Sequence, residues 1–145
     1  MPEVEQLSPE LERELLDRAR DARRHAYVPY SRFTVGAALL TDSGEIVTGC
    51  NVENASYGLA NCAERTAVFK AVSEGMRGFR AMAVVGLDGD ATCAPCGACR
   101  QVLHEFAPDL VVITPGPDGP IRMPLRMLLP MAFDPASLPD ARSEG

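Results

Sequence analysis

Seven apolar residues in unbroken succession, Ala81 to Leu87, set the tightest limit on how this chain can fold. A strand with one wet face alternates apolar and polar residues, so a run without alternation must be covered on both faces. Leu110 to Thr114 reads as a second strand of this kind. The covering layers are legible as well. Ser8-Pro9-Glu10 starts a helix, with a hydroxyl N-cap, proline at the first helical position and acid in the first turn. Leu11, Leu15, Ala19, Ala22 and Ala26 then share one face of a helix over 9–25, with Pro29 beyond its end. Residues 61–74 form a second helix, turning Ala63, Ala67, Val68, Ala71 and Val72 inward and followed by Gly75. Residues 96–106 form a third, stopped by Pro108. Phe33–Leu40 and Ile46–Val52 are two strands joined at Thr41-Asp42-Ser43-Gly44. Ile121–Met123 is a short strand, and Met127–Met131 a short helix between Pro124 and Pro130. The order α-β-β-α-β-α-β-β predicts an α/β architecture, one sheet flanked by helices and opened by an antiparallel hairpin. At 145 residues the chain is expected to be a single domain, 1–145, with its core over 9–133 and a mobile tail over 134–145.

Charge narrows the partners. The formal net charge is −6, whereas a phosphate backbone calls for clustered positive charge. Arg13, Arg18, Arg20, Arg23 and Arg24 alternate with Glu10, Glu12, Glu14, Asp17 and Asp21, the pattern of a solvated helix face. No nucleic-acid partner is expected. No apolar run approaches the length needed to span a bilayer. Met1-Pro2-Glu3-Val4-Glu5 is acidic where an export signal is basic and then apolar. The expected setting is therefore the cytoplasm, without a membrane partner. In a reducing compartment, five cysteines read as metal ligands or catalytic thiols rather than disulfides.

Two short segments carry the chemistry: Asn61-Cys62-Ala63-Glu64-Arg65 and Ala94-Pro95-Cys96-Gly97-Ala98-Cys99-Arg100-Gln101. Each opens a predicted helix. Cys96 and Cys99, three residues apart on a first turn, project to one side. Helix N-termini favour thiolates, the form zinc requires. Three thiolates from Cys62, Cys96 and Cys99 make a zinc site with an open fourth position, the catalytic pattern that brings a water to a pKa of about 7. Glu64 is awkwardly placed to chelate beside Cys62 but can reach past the metal as a proton shuttle. Three thiolates around one Zn²⁺ leave a negative site, and Arg65 is placed to drain that charge by hydrogen bonding, unless it is an ordinary surface arginine. A structural alternative stays open, since Cys93 with Cys62, Cys96 and Cys99 could close a four-cysteine site without catalysis. Cys-x-Glu followed by Pro-Cys-x-x-Cys is the constellation of zinc deaminases.

At these residues the chain resembles the cytidine deaminases, in their short, three-cysteine, homotetrameric branch. The match runs from about Ala19 to Phe133. It includes Tyr30-Ser31-Arg32-Phe33-Thr34-Val35-Gly36-Ala37-Ala38, Gly49-Cys50-Asn51-Val52-Glu53-Asn54-Ala55-Ser56-Tyr57-Gly58, both zinc segments, and Leu128-Leu129-Pro130-Met131-Ala132-Phe133. The resemblance implies a three-layer α/β/α fold with a mixed five-stranded sheet. It implies one Zn²⁺ per chain on Cys62, Cys96 and Cys99, and Glu64 as the shuttle. Phe33 would pack on the pyrimidine, Asn51 and Glu53 would bind the ribose hydroxyls, and the backbone N–H groups of Ala63 and Glu64 would hold the base's carbonyl edge. Tyr57 and Phe133 would reach a neighbouring subunit's site in a homotetramer. The implied reaction is hydrolytic deamination of cytidine and 2′-deoxycytidine in pyrimidine salvage. Rival readings are a deaminase of a modified cytosine nucleoside and a polynucleotide editor, the latter disfavoured by the acidic charge.

Residue chemistry alone says less about several of these positions. Asn51 and Glu53, two apart at a strand end, share a face and both accept hydrogen bonds from a diol. Phe33 and Phe133 would by default be core residues. Met123, Met127 and Met131, spaced by four, read as core filling, with a subunit interface as the alternative. Cys50 reads as a small buried residue. His25 and His104 lack ligand spacing and receive no role.

Overall fold

The computed structural model describes residues 7–89 and 91–138. Ser8 caps helix α1 (Pro9–Ala22), its Oγ accepting from Leu11 N–H at 3.1 Å, and the helix runs on as a 3-10 turn over Arg23–His25. Then follow β1 (Gly36–Thr41), β2 (Ile46–Cys50), α2 (Ala63–Ser73), β3 (Phe79–Val85), α3 (Gly97–Phe106), β4 (Val111–Thr114), β5 (Ile121–Pro124) and α4 (Leu125–Leu128). The five strands form one sheet in the order β2-β1-β3-β4-β5. Only the β3–β4 pair is parallel, so the sheet is mixed as expected.

The three layers follow from how side chains alternate on the central strands. Met82 and Val84 of β3, with Ala37 and Leu39 of β1 and Val112 of β4, face Ala63, Ala67, Val68 and Ala71 of α2 and Leu103 of α3. Ala81, Ala83 and Val85, with Ala38, Leu40, Val111 and Ile113, face Leu15, Leu16 and Ala19 of α1. Both faces of β3 are thus buried, which is what its unbroken apolar run demands.

Two glycines let the layers approach. A Cβ on Gly36 would lie 1.9 Å from Ala19 O of α1, and one on Gly49 would lie 2.6 Å from Ala63 O and 2.5 Å from Ala67 N of α2. The second contact sets the N-terminus of α2 directly over β2.

Several boundaries differ from expectation. The first strand begins at Gly36 and not Phe33, because the Asn51 side chain intercepts the chain there. Its Oδ1 accepts from Val35 N–H and its Nδ2 donates to Phe33 O, both at 2.8 Å. β2 ends at Cys50 because Asn51–Glu53 turns to pair with Tyr27, while Val52 pairs with Asn61. The short helix expected over Met127–Met131 lies instead over Leu125–Leu128, with Pro124 as N-cap and Leu129 already outside helical geometry. Met123, Met127 and Met131 therefore share no face and do not fill the core: Met123 is on β5, and Met127 and Met131 are 65% and 102% exposed. His104, given no role above, is buried.

Asp134 caps a 3-10 turn over Pro135–Ser137; the rest of the expected tail, 139–145, and the acidic start, 1–6, lie outside the described residues. Among the described residues, no helix is long and apolar enough to cross a membrane.

Candidate metal centre and adjoining pocket

The parallel strands β3 and β4 end on the side of the sheet where α2 and α3 begin, the edge at which open α/β sheets bind ligands. Cys62 and Cys96 are the N-caps of α2 and α3, both extended (φ −73°, ψ 155° and φ −68°, ψ 170°). Neither side chain caps its own helix. Instead their sulfurs meet at 3.8 Å, and Cys99, on the first turn of α3, stands 3.5 Å from Cys96. All three Sγ atoms lie within 4.8 Å of one another. Three soft donors converging from two helix N-termini suit a thiophilic divalent cation such as zinc.

Electrostatics favour the thiolate at Cys62. A hydrogen bond from Cys99 lowers the Cys62 thiol to about 5, helped by Arg65, whose Nη2 donates to Cys62 Sγ at 3.3 Å. The Cys62 thiolate in turn holds Arg65 protonated, above its ordinary value. Sharing its proton with Cys62 and being buried raise Cys99. Arg65 is therefore bonded to the cluster through Cys62.

Glu64 is 4% exposed. Burial, reinforced by the Cys62 charge, raises its carboxyl to about 7. A carboxyl that titrates near neutral pH beside a metal site is suited to accept and return a proton.

Cys93 does not join the cluster, so the closed four-cysteine arrangement is not what forms among the described residues. Its N–H donates to Thr114 Oγ1 at 2.7 Å, burial pushes its thiol up, and its Sγ and the Phe33 ring both pack over Gly86. Cys93 lines a cavity of about 150 Å³ with Val35, Asn51, Ala63, Glu64 and the sulfur-bearing Cys62 and Cys96. Its part in that wall had no signal in the sequence, where Cys93 stood out only as a fourth ligand.

Two residues past Asn51, Glu53 borders a second hollow of about 280 Å³ with Tyr30, Ser31 and Tyr57. Glu53 accepts from the Tyr30 and Ser31 N–H groups, each at 3.1 Å, and from the Ser31 hydroxyl. The hydroxyl is the chief reason its carboxyl sits below the ordinary range. After these bonds Asn51 retains one donor and one acceptor site and Glu53 roughly one acceptor site. Tyr57 and Phe133 are 74% and 59% exposed, and neither lines the smaller cavity of its own chain.

A family model described as the cytidine and deoxycytidylate deaminase zinc-binding region matches residues 9–114. A cytidine deaminase of Halalkalibacterium halodurans is 52% identical over 128 residues, spanning 87% of this chain and 96% of its own. One from Mycobacterium tuberculosis is 50% identical over 127 residues, spanning 86% of this chain and 90% of its own. The crystal structure of a cytidine deaminase from Burkholderia pseudomallei shares this fold with a TM-score of 0.78 at 50% identity, covering 83% of this chain and 98% of that one.

Proposed function

The chain belongs to the cytidine and deoxycytidylate deaminase family, and on that premise we propose that it deaminates cytidine and 2′-deoxycytidine hydrolytically in pyrimidine salvage. The observation that carries this reading is a buried Glu64, titrating near 7, set beside three converging cysteine sulfurs at a cavity of base size. Cys62, Cys96 and Cys99 would hold one zinc, which supplies a Lewis acid that acidifies water. The remaining steps fall to the chain. The Ala63 and Glu64 N–H groups, in the first turn of α2 and without intrahelical acceptors, hold the pyrimidine's carbonyl oxygen. Phe33 packs on the ring, and Asn51 and Glu53 spend their remaining sites on the ribose hydroxyls. Glu64 would take a proton from the water that adds to C4 and give it to N3. It would then take the remaining proton of the added hydroxyl and give it to the amine, so ammonia leaves and uridine, with its N3–H and C4 carbonyl, remains.

The protein would work in the cytoplasm as a homotetramer. Exposed Tyr57, Leu59, Met127, Met131 and Phe133 are costly to leave in water and would be covered by neighbouring copies. Tyr57 and Phe133 then complete a partner's pocket.

Ultraviolet monitoring of cytidine and 2′-deoxycytidine, with zinc quantified per chain, tests the reading. Turnover of both with one zinc per chain is expected. Equal activity on a cytosine-containing oligonucleotide, or none on either nucleoside, would overturn it.

A further inference from the structure

Helix α3 begins at the metal centre and, within two turns, takes hold of a distant corner of the chain. Arg100 donates from Nε to Pro95 O at 2.8 Å and from Nη1 to Leu128 O at 2.9 Å. Gln101 donates from Nε2 to Phe133 O at 2.8 Å. His104, 8% exposed, sets Nε2 3.8 Å from Asp134 Oδ2. Residues 100, 101 and 104 are neighbours on one side of a helix, and the bonds from Arg100 and Gln101 hold the segment at Leu128 and Phe133.

Between those ends the chain makes a costly excursion. Met131 has φ 54°, in the left-handed region, and its side chain is wholly exposed. A non-glycine residue persists there only when its surroundings over-determine it. The two held ends provide that determination, and the corner presents the Met131 and Phe133 side chains outward. Asp134 completes it by accepting from Ala136 N–H at 3.0 Å.

We propose that Gln101 is a positioning residue: by gripping the Phe133 main chain it aims the Phe133 ring into the partner subunit's substrate pocket. Each α3 then serves two active sites, its own through Cys96 and Cys99 and a partner's through Phe133. This rests on the reading of Phe133 as a residue of the partner's site. A freed corner leaves the ring unaimed, which weakens nucleoside binding without touching the proton chemistry, so KM changes and kcat does not.

The test compares Gln101→Ala, Gln101→Glu (same shape, no donor), Phe133→Ala and the double variant Gln101→Ala/Phe133→Ala. Steady-state kinetics on cytidine are read alongside zinc per chain and assembly mass. Loss of one neutral hydrogen bond predicts a KM raised roughly threefold to tenfold in both Gln101 variants, with kcat, zinc content and mass at wild-type values. Phe133→Ala raises KM at least as far, and the double variant goes no further, because Gln101 then has no ring to aim. Co-assembly of Gln101→Ala chains with excess Glu64→Ala chains restores KM, since the inactive chains lend intact corners. If Phe133→Ala raises KM but the Gln101 variants do not, the positioning role falls and the partner-site reading stands. If Phe133→Ala leaves KM unchanged, the partner-site reading falls and takes the proposal with it. Additive effects, zinc loss in the Gln101 variants, or a KM that co-assembly leaves high would also overturn it.

Discussion

Glu64 is buried against Cys62, and both burial and that thiolate raise its carboxyl from an ordinary 4.5 to about 7. The gap corresponds to about 3 kcal/mol of folding free energy given up for a carboxyl poised at neutral pH. Below pH 4.5 folded and unfolded states both keep the proton and the cost is absent. It grows as pH rises, because the unfolded chain ionises first, and is complete above pH 7. Glu64→Gln keeps the shape and removes the charge. Its turnover should fall by about 10²–10⁴. In the metal-free protein, its denaturation midpoint should match wild type near pH 4 and exceed it progressively up to pH 8. Equal midpoints at pH 8 would show that Glu64 is not desolvated in solution. Arg65 tells the complementary story: its bond to Cys62 Sγ places positive charge where the three sulfurs meet.

At the level of elements, legibility tracked how local each cause is. The burial of β3 on both faces was readable because five successive apolar residues, Ala81 to Val85, encode it, although the expected strand ran two residues too far: Leu87 lies beyond β3 and is half exposed. The cysteine trio was readable because each ligand segment is itself a helix start, and two helix starts on one sheet edge bring their caps together. The start of β1 was not readable, because a side chain 16–18 residues away, Asn51, takes over the backbone of Phe33 and Val35. The methionine spacing misled for a similar reason: Met131 leaves helical geometry for a corner held from α3, and sequence spacing carries no trace of that grip. The seating of α2 was equally silent. Gly49 permits it, and a Cβ there would meet Ala67 N and Ala63 O at 2.5 and 2.6 Å, backbone atoms that can yield only by moving the helix. Gly49→Ala should therefore cost about 1–3 kcal/mol in urea denaturation. Because Ala63 lies between Cys62 and Glu64, it should also weaken zinc retention against a chelator. A variant with wild-type stability and wild-type zinc retention would place α2 farther from β2 than the structure does.

For the molecule as a whole, the surface is harder to reconcile with a lone chain than the core is. The interior is closed on both faces of the sheet, yet Leu59 and Met127 are 71% and 65% exposed, near the still more exposed Tyr57 and Met131 in sequence. Scattered apolar residues are ordinary on a monomer. Here, however, they accompany Tyr57 and Phe133, two aromatics whose proposed work lies in another copy's pocket. If assembly covers these residues, a carboxylate at either exposed position must be desolvated on association, a penalty of several kcal/mol that a single small contact does not offset. Leu59→Glu and Met127→Glu should therefore each lower the assembly mass measured by light scattering, while zinc per chain should be unchanged, since neither residue lines the cavity that the sulfurs border. Turnover should fall with the mass and recover as protein concentration is raised, because each pocket then regains its neighbour's aromatics by mass action. A dissociated variant with undiminished kcat/KM would instead make each chain a complete enzyme, and leave the outward corner at Phe133 without a catalytic purpose.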